Sequence, residues 1–226
     1  MPRARLLRIY LLRHGQVAAN RDMRYVGRVD QELTADGRAQ ARALADAFRS
    51  VRLDRVVSSP RLRARQTAEE ILGLHPLGPA ALSEHSGLAE QDFGEWEGRS
   101  RDEIVAEGDG PREQRAAFDR SPDVAAPGGE SFSDVARRVG RVVEQAEREG
   151  VERLMLVSHV GPTKALLAEL LGLTLLDVRR FFLDPGSFTV LDRQPEPGRG
   201  LLRMFNAPGH VEWLAHRWMR DHRLDS

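Results

Sequence analysis

Two apolar runs, Ile9-Tyr10-Leu11-Leu12 and Leu154-Met155-Leu156-Val157, each end on a histidine with a glycine close behind: Arg13-His14-Gly15 and Ser158-His159-Val160-Gly161. Short apolar runs of this kind read as strands covered on both faces. The strand pattern predicts Leu6 to Leu12, Arg55 to Ser58, Leu154 to Val157, Phe188 to Leu191 and Leu201 to Phe205. Helical periodicity covers Thr34 to Arg49, Arg61 to Leu72, Ser131 to Glu149 and Pro162 to Leu171, with Thr34 and Ser131 as N-caps. Strands alternating with helices predict an α/β fold: a mainly parallel central sheet with helices on both faces. Such sheets bind ligands beyond the carboxyl ends of their strands. His14 and His159 are therefore expected to face one crevice, with the glycines allowing close backbone approach.

The 226 residues fit one domain spanning 1–226 with a substantial core. Gly94 to Gly129 is polar and rich in glycine and proline, and reads as an excursion near the site, a partly helical lid. Gln194 to Gly200 reads as an exposed turn between the last two strands. Acidic and basic residues balance at 34 each, so no global field draws nucleic acid or an anionic membrane. There is no cysteine, which excludes disulfides, thiolate metal sites and cysteine nucleophiles. No apolar run approaches the roughly 20 residues of a membrane span. The basic N-terminus runs into Arg13-His14 without the long apolar stretch of a signal peptide, and the protein is expected in the cytoplasm. Lys164 is the only lysine, a bias of composition rather than a selection for phosphate binding.

Two further segments carry chemistry. After the strand Val56-Val57-Ser58, Arg61, Arg63 and Arg65 stand at alternating positions, so a helix presents at most one or two of them to a pocket. Glu90, Asp92, Glu95 and Glu97 lie among Phe93 and Trp96, where a carboxylate partly withdrawn from water can hold a proton near neutrality. Chemistry alone selects none of these four, nor one of the three arginines. His75, His85, His210, His216 and His222 stand in no such context and read as surface or packing residues.

Five elements in order resemble the histidine phosphatase superfamily, which includes the cofactor-dependent phosphoglycerate mutases and many phosphatases. They are Leu12-Arg13-His14-Gly15-Gln16 with Asn20 beyond it, Ser58-Ser59-Pro60-Arg61-Leu62-Arg63-Ala64-Arg65-Gln66-Thr67-Ala68, Glu90 to Gly98, Pro127-Gly128-Gly129-Glu130-Ser131, and Ser158-His159. The resemblance spans Leu7 to about Asn206. It implies that His14 is a covalent nucleophile and that Arg13, Arg63 and His159 surround the phosphoryl group. It implies that Glu90 is the general acid, and it places Asn20 and Gly27 near the substrate. Arg101 falls where the mutases carry a lysine. The implied partner is a small phosphorylated metabolite, with no cofactor and no metal, the guanidiniums supplying the positive charge. Three rival readings stand beside a phosphatase: a mutase, a non-catalytic phosphate-binding regulator and a metallohydrolase. The segment Glu90 to Gly98 looks more like the phosphatase branches than the mutase ones. No His-Glu-x-x-His spacing occurs to support a metal. Substrate identity and oligomeric state leave no readable trace in the sequence.

Overall fold

The computed structural model describes residues 6–194 and 200–209. Residues 195–199 of the expected exposed turn lie outside that range, as do His210, His216 and His222. Six strands form one sheet: β1 (Leu7–Arg13), β2 (Arg55–Ser58), β3 (Leu82–Glu84), β4 (Arg153–Ser158), β5 (Ser187–Arg193) and β6 (Gly200–Pro208), in the order β3-β2-β4-β1-β5-β6. β1, β2, β3 and β4 are mutually parallel, and β5 runs against its neighbours β1 and β6. The helices are α1 (Ala18–Arg21), α2 (Ala35–Phe48), α3 (Leu62–Leu74), α4 (Arg101–Val105), α5 (Asp109–Arg120), α6 (Phe132–Arg148) and α7 (Val160–Leu171).

The period of two along the central strands divides the core into two layers. Leu7, Ile9 and Leu11 of β1 pack with Leu154 and Leu156 of β4 under α6 and α7. Tyr10, Leu12, Met155 and Val157 pack on the opposite face with Leu44 and Phe48 of α2 and Ile71 and Leu72 of α3. On α6, Val135, Val139, Val142, Val143 and Ala146 are buried at helical spacing. Each such valine stabilises the fold by about 1.5–3 kcal/mol through apolar burial. The helix begins at a capping box: Ser131 Oγ accepts from Asp134 N, and the Asp134 carboxylate accepts in return from Ser131 N. Thr34 Oγ1 likewise accepts from Gly37 N at the start of α2.

Three details differ from expectation. β3 was not foreseen, because its three residues are half-buried or exposed and carry no alternation. α7 begins two residues before Pro162, which a helix tolerates in its first turn because the proline lacks only an N–H that has no helical partner there. β5 is antiparallel because the chain climbs back after α7 to the catalytic end of the sheet before entering it. There Arg13 donates to the Leu183 carbonyl and Gly186 N donates to the His14 carbonyl at 2.9 Å, so the strand that follows can only run downward. The excursion, read from sequence as a lid, contains α4 and α5. It has a small core of its own in which Trp96, Ile104, Phe118 and Ala126 meet Tyr25 and Phe93.

Candidate active site

The carboxyl ends of β1, β2 and β4 deliver the central residues to one place. His14 and His159 are 4% and 0% exposed, and their ring centroids are 5.0 Å apart. Arg63, in the first turn of α3, is 1% exposed, and its Nε–H is shared between His14 Nε2 and His159 Nδ1, each at 3.2 Å. Its terminal nitrogens are turned away from the rings: Nη1 donates to the Val29 carbonyl, and Nη2 to the carbonyls of Val26 and Gly27. The guanidinium expected beside the phosphoryl group thus also latches the segment 26–29, leaving Nε–H as the donor turned to the rings. Gly15 N is held by Thr67 Oγ1 at 3.1 Å, which ties the end of β1 to α3.

His14 Nδ1 donates to the Gly15 carbonyl at 2.7 Å, which leaves the Nε2 lone pair facing Arg63. Burial, and then the charges of Arg63 and Arg13, hold its pKa well below the ordinary imidazole value. Burial and Arg63 do the same to His159, whose Nε2 donates to Ser59 Oγ at 2.8 Å while Nδ1 accepts from Arg63. His159 is therefore neutral here, and acts as a donor to a ligand only once Nδ1 takes a proton. The Arg13 Nε is buried without a hydrogen-bond partner among the described residues. Burial lowers the Arg13 pKa to about 10, and the guanidinium remains charged near neutrality.

The four candidate carboxylates separate by their partners. Glu97 accepts from the backbone N–H groups of Gly27, Arg28 and Phe93, and so clamps a loop. Asp92 accepts from Gly94 N and pairs with the exposed Arg28, while Glu95 is exposed. Glu90 alone joins the histidine cluster. α7 lacks a side-chain cap of its own, and Glu90 supplies one from elsewhere in the chain: Oε2 accepts from Val160 N at 3.1 Å, and Oε1 from Gly161 N at 3.0 Å. Gln91 N also donates to Oε1. These N–H bonds favour the carboxylate, yet burial outweighs them and raises the Glu90 pKa. Arg138, paired with Glu130, donates to the Glu90 carbonyl and fixes that segment to α6. A Cβ on Gly161 would lie 2.4 Å from Glu90 Oε1, and one on Gly15 would lie 2.3 Å from the Gly37 carbonyl. The two motif glycines thus permit contacts within the protein, one of them on the candidate acid itself.

Of the remaining candidates, Gly27 sits against Arg63 through its carbonyl. Asn20 uses Oδ1 to accept from Val17 N at the start of α1. Arg101 is exposed on α4 and lies 3.9 Å from Asp119, outside the histidine cluster. His75 donates to the Val51 carbonyl and His85 accepts from Gly87 N, so both serve local packing. Sequence reasoning did not single out Ser59, Arg115 or Arg179, and it weighed Glu97 only as a rival acid. Ser59 lies inside a motif already quoted, whereas the two arginines have no local feature to set them apart. Among the described residues no three His, Cys, Asp or Glu side chains converge as a metal site, and no helix is long and apolar enough to cross a membrane.

Comparison with known proteins places these positions in a wider group. Residues 9–206 match the family described as histidine phosphatase superfamily (branch 1). An adenosylcobalamin/alpha-ribazole phosphatase of Escherichia coli is 31% identical over 188 residues, covering 82% of this chain and 90% of that one. A probable phosphoglycerate mutase of Klebsiella pneumoniae is 30% identical over 215 residues, covering 95% and 91%. The native structure of a mycobacterial glucosyl-3-phosphoglycerate phosphatase superposes with a TM-score of 0.78 at 30% identity, covering 90% of this chain and 100% of that chain.

Proposed function

Because the chain belongs to the histidine phosphatase superfamily, branch 1, we propose that it hydrolyses small phosphate monoesters of the cytoplasm through a phosphohistidine on His14. Phosphoric monoester hydrolysis as the class of reaction accords with the family and with relatives named as phosphatases. The observation that carries the mechanism is the state of His14: neutral, with its proton held on Nδ1 by the Gly15 carbonyl and its Nε2 lone pair facing Arg63.

A phosphoryl oxygen is a stronger acceptor than an imidazole nitrogen and takes over the Arg63 Nε–H, freeing Nε2 to attack. The N–P bond forms as the ester P–O bond breaks. The departing alkoxide takes the proton of Glu90, which its raised pKa keeps available. In the second step water attacks phosphorus, its proton passes to Glu90, and the N–P bond breaks to release inorganic phosphate. Arg13 and Arg63 stabilise the spread equatorial charge, the main demand of phosphoryl transfer. A dianion beside His159 favours protonation of Nδ1, which turns that ring into a further donor.

Rapid quench with labelled p-nitrophenyl phosphate tests this reading. Phosphate should appear on the protein, stable in base and labile in acid, and His14→Ala should abolish both label and turnover. Label surviving in that variant would sink the assignment. The presence of a mutase-named relative keeps one second reading, phosphoryl return to another hydroxyl. With 3-phosphoglycerate and trace 2,3-bisphosphoglycerate, little isomerisation is expected. Formation of 2-phosphoglycerate much faster than free phosphate would reverse the ranking.

A further inference from the structure

Beyond Glu90 lies a cavity of about 250 Å³ that holds more positive charge than the catalytic steps use. Arg115, Lys164 and Arg179 line it, and the one acidic group besides Glu90 is Asp119. Asp119 pairs with Arg115 at 2.5 Å and lies 3.8 Å from Arg179, and Glu90 acts on Lys164, so two carboxylates stand among three cations. The exposed Arg101 approaches Asp119 from outside.

The cations are held in place before any ligand arrives. The Arg115 guanidinium lies 5.2 Å from the Phe118 centroid and 5.6 Å from that of Tyr25, and donates to Tyr25 Oη at 2.8 Å. The Arg179 guanidinium lies 5.0 Å from Phe118 and 5.6 Å from Phe132, and donates to the Phe118 carbonyl. The neighbouring rings and these hydrogen bonds restrict both groups, so little side-chain entropy is lost when they bind. Lys164 is half-buried, and one of its three N–H donors goes to the Arg179 carbonyl at 3.1 Å. Burial lowers its pKa while the Glu90 carboxylate raises it, which places the ammonium within electrostatic reach of the candidate acid.

We propose that this cavity binds a second anionic group, a carboxylate or a phosphate, carried by the leaving alcohol, with Lys164 and Arg179 as its direct ligands. The substrate class is then a phosphomonoester of an anionic alcohol rather than of a neutral one. The inference rests on the phosphatase reading for the end of the substrate at which the ester bond breaks. Lys164 lies three residues along α7 from Gly161, whose N–H holds Glu90, and both Glu90 and Lys164 line the cavity, so the second anion and the proton donor share one space.

Matched aryl esters test the proposal: 4-carboxyphenyl phosphate against 4-carbamoylphenyl phosphate, which has the same shape without the charge. A third ester bearing a 4-phosphonomethyl group distinguishes a phosphate-like anion from a carboxylate. At least one anionic ester should exceed the carboxamide in kcat/KM by on the order of 10- to 100-fold. Lys164→Met and Arg179→Met should each lower that ratio about tenfold. A ratio near one in the parent protein, with all three esters turned over, overturns the proposal and leaves the phosphatase reading intact. Failure to turn over any ester overturns the phosphatase reading instead. Binding then decides the cavity separately, by reductive methylation of Lys164 with formaldehyde and cyanoborohydride, followed by peptide mass spectrometry. Protection by 4-carboxyphenylphosphonate or its phosphonomethyl counterpart, and not by the carboxamide, supports the second anion site. Equal labelling in the presence of all three ligands refutes it.

Discussion

The histidine cluster and the cavity beyond Glu90 are both basic, but they are built in opposite ways. In the cluster the donors are already wired to the protein: Arg63 serves two rings and three backbone carbonyls, and the two histidines are fixed by Gly15 and Ser59. In the cavity the guanidiniums lie against aromatic faces, and two carboxylates, Glu90 and Asp119, stand among three cations. The first arrangement prepares a reaction that every ester must undergo. The second leaves charge to be satisfied by the part of the substrate that varies. Glu90 stands between them, lining the cavity while its carboxyl feels Arg63 and Arg13.

The largest effect should come from the cluster and ignore the leaving group. Arg63→Ala is expected to lower kcat/KM on the order of 10³-fold for charged and neutral esters alike, because a transition-state donor and the latch on 26–29 are lost together. Its neighbours should matter far less, at most about tenfold. Arg61 should cost more than Arg65: its charge reaches His159 and Arg63, whereas Arg65 pairs with Glu69 and Glu84. Steady-state kinetics of the three variants check this order, and a loss in Arg63→Ala confined to anionic leaving groups would move Arg63 to the other side of the comparison.

A smaller effect tests the junction. Glu90→Gln should slow phosphoryl transfer on the order of 10²-fold with alkyl phosphates, and about tenfold or less with p-nitrophenyl phosphate, whose leaving group needs no proton. The same variant lacks the base for water, so p-nitrophenyl phosphate should give a burst of nitrophenol and accumulating phosphohistidine. Equal slowing of the transfer step for both esters, measured before the steady state, would assign Glu90 to binding alone. The pH profile should agree in sign. Burial raises the Glu90 pKa, so alkyl ester turnover falls as pH rises through that value. With p-nitrophenyl phosphate the transfer step should lack this basic limb.

The smallest expected effect is on stability. His14 and His159 both have lowered pKa values in the folded chain. Above the unfolded histidine value of about 6.5 both states are neutral and the two rings contribute no pH dependence. Below it the unfolded chain takes up protons that the folded one refuses, costing about 1.4 kcal/mol per pH unit for each ring until its folded value is reached. The thermal midpoint of the parent protein should therefore fall more steeply between pH 6.5 and 5 than that of a His14→Gln, His159→Gln double variant. Parallel curves would mean that folding leaves the protonation of the two rings unchanged.

The legible parts of this molecule are those written within a few residues. The continuous burial of Leu7 to Leu12 and of Leu154 to Val157, covered on both faces of the sheet, shows directly in the run of apolar side chains, and the caps at Thr34 and Ser131 announce α2 and α6. β3 is illegible because its three residues have no buried face to repeat, and the excursion reads only as partly helical because a segment so polar does not mark the bounds of α4 and α5 or signal a core. The choice of Arg63 over Arg61 and Arg65, and of Glu90 over its neighbours, came from motif resemblance. Composition distinguishes neither set.

The sequence by itself determined the alternation of strands and helices, the placing of two histidines at strand ends, and membership of the family. Tertiary structure alone decided that β5 runs antiparallel, that Glu90 caps α7, and that Arg115, Lys164 and Arg179 line one cavity. The division has a physical cause. Periodicity and caps act between residues a few positions apart, where residue type alone is informative. A buried carboxylate or guanidinium takes its role from partners brought together from distant parts of the chain, and identical residue types there differ only in what the fold sets beside them.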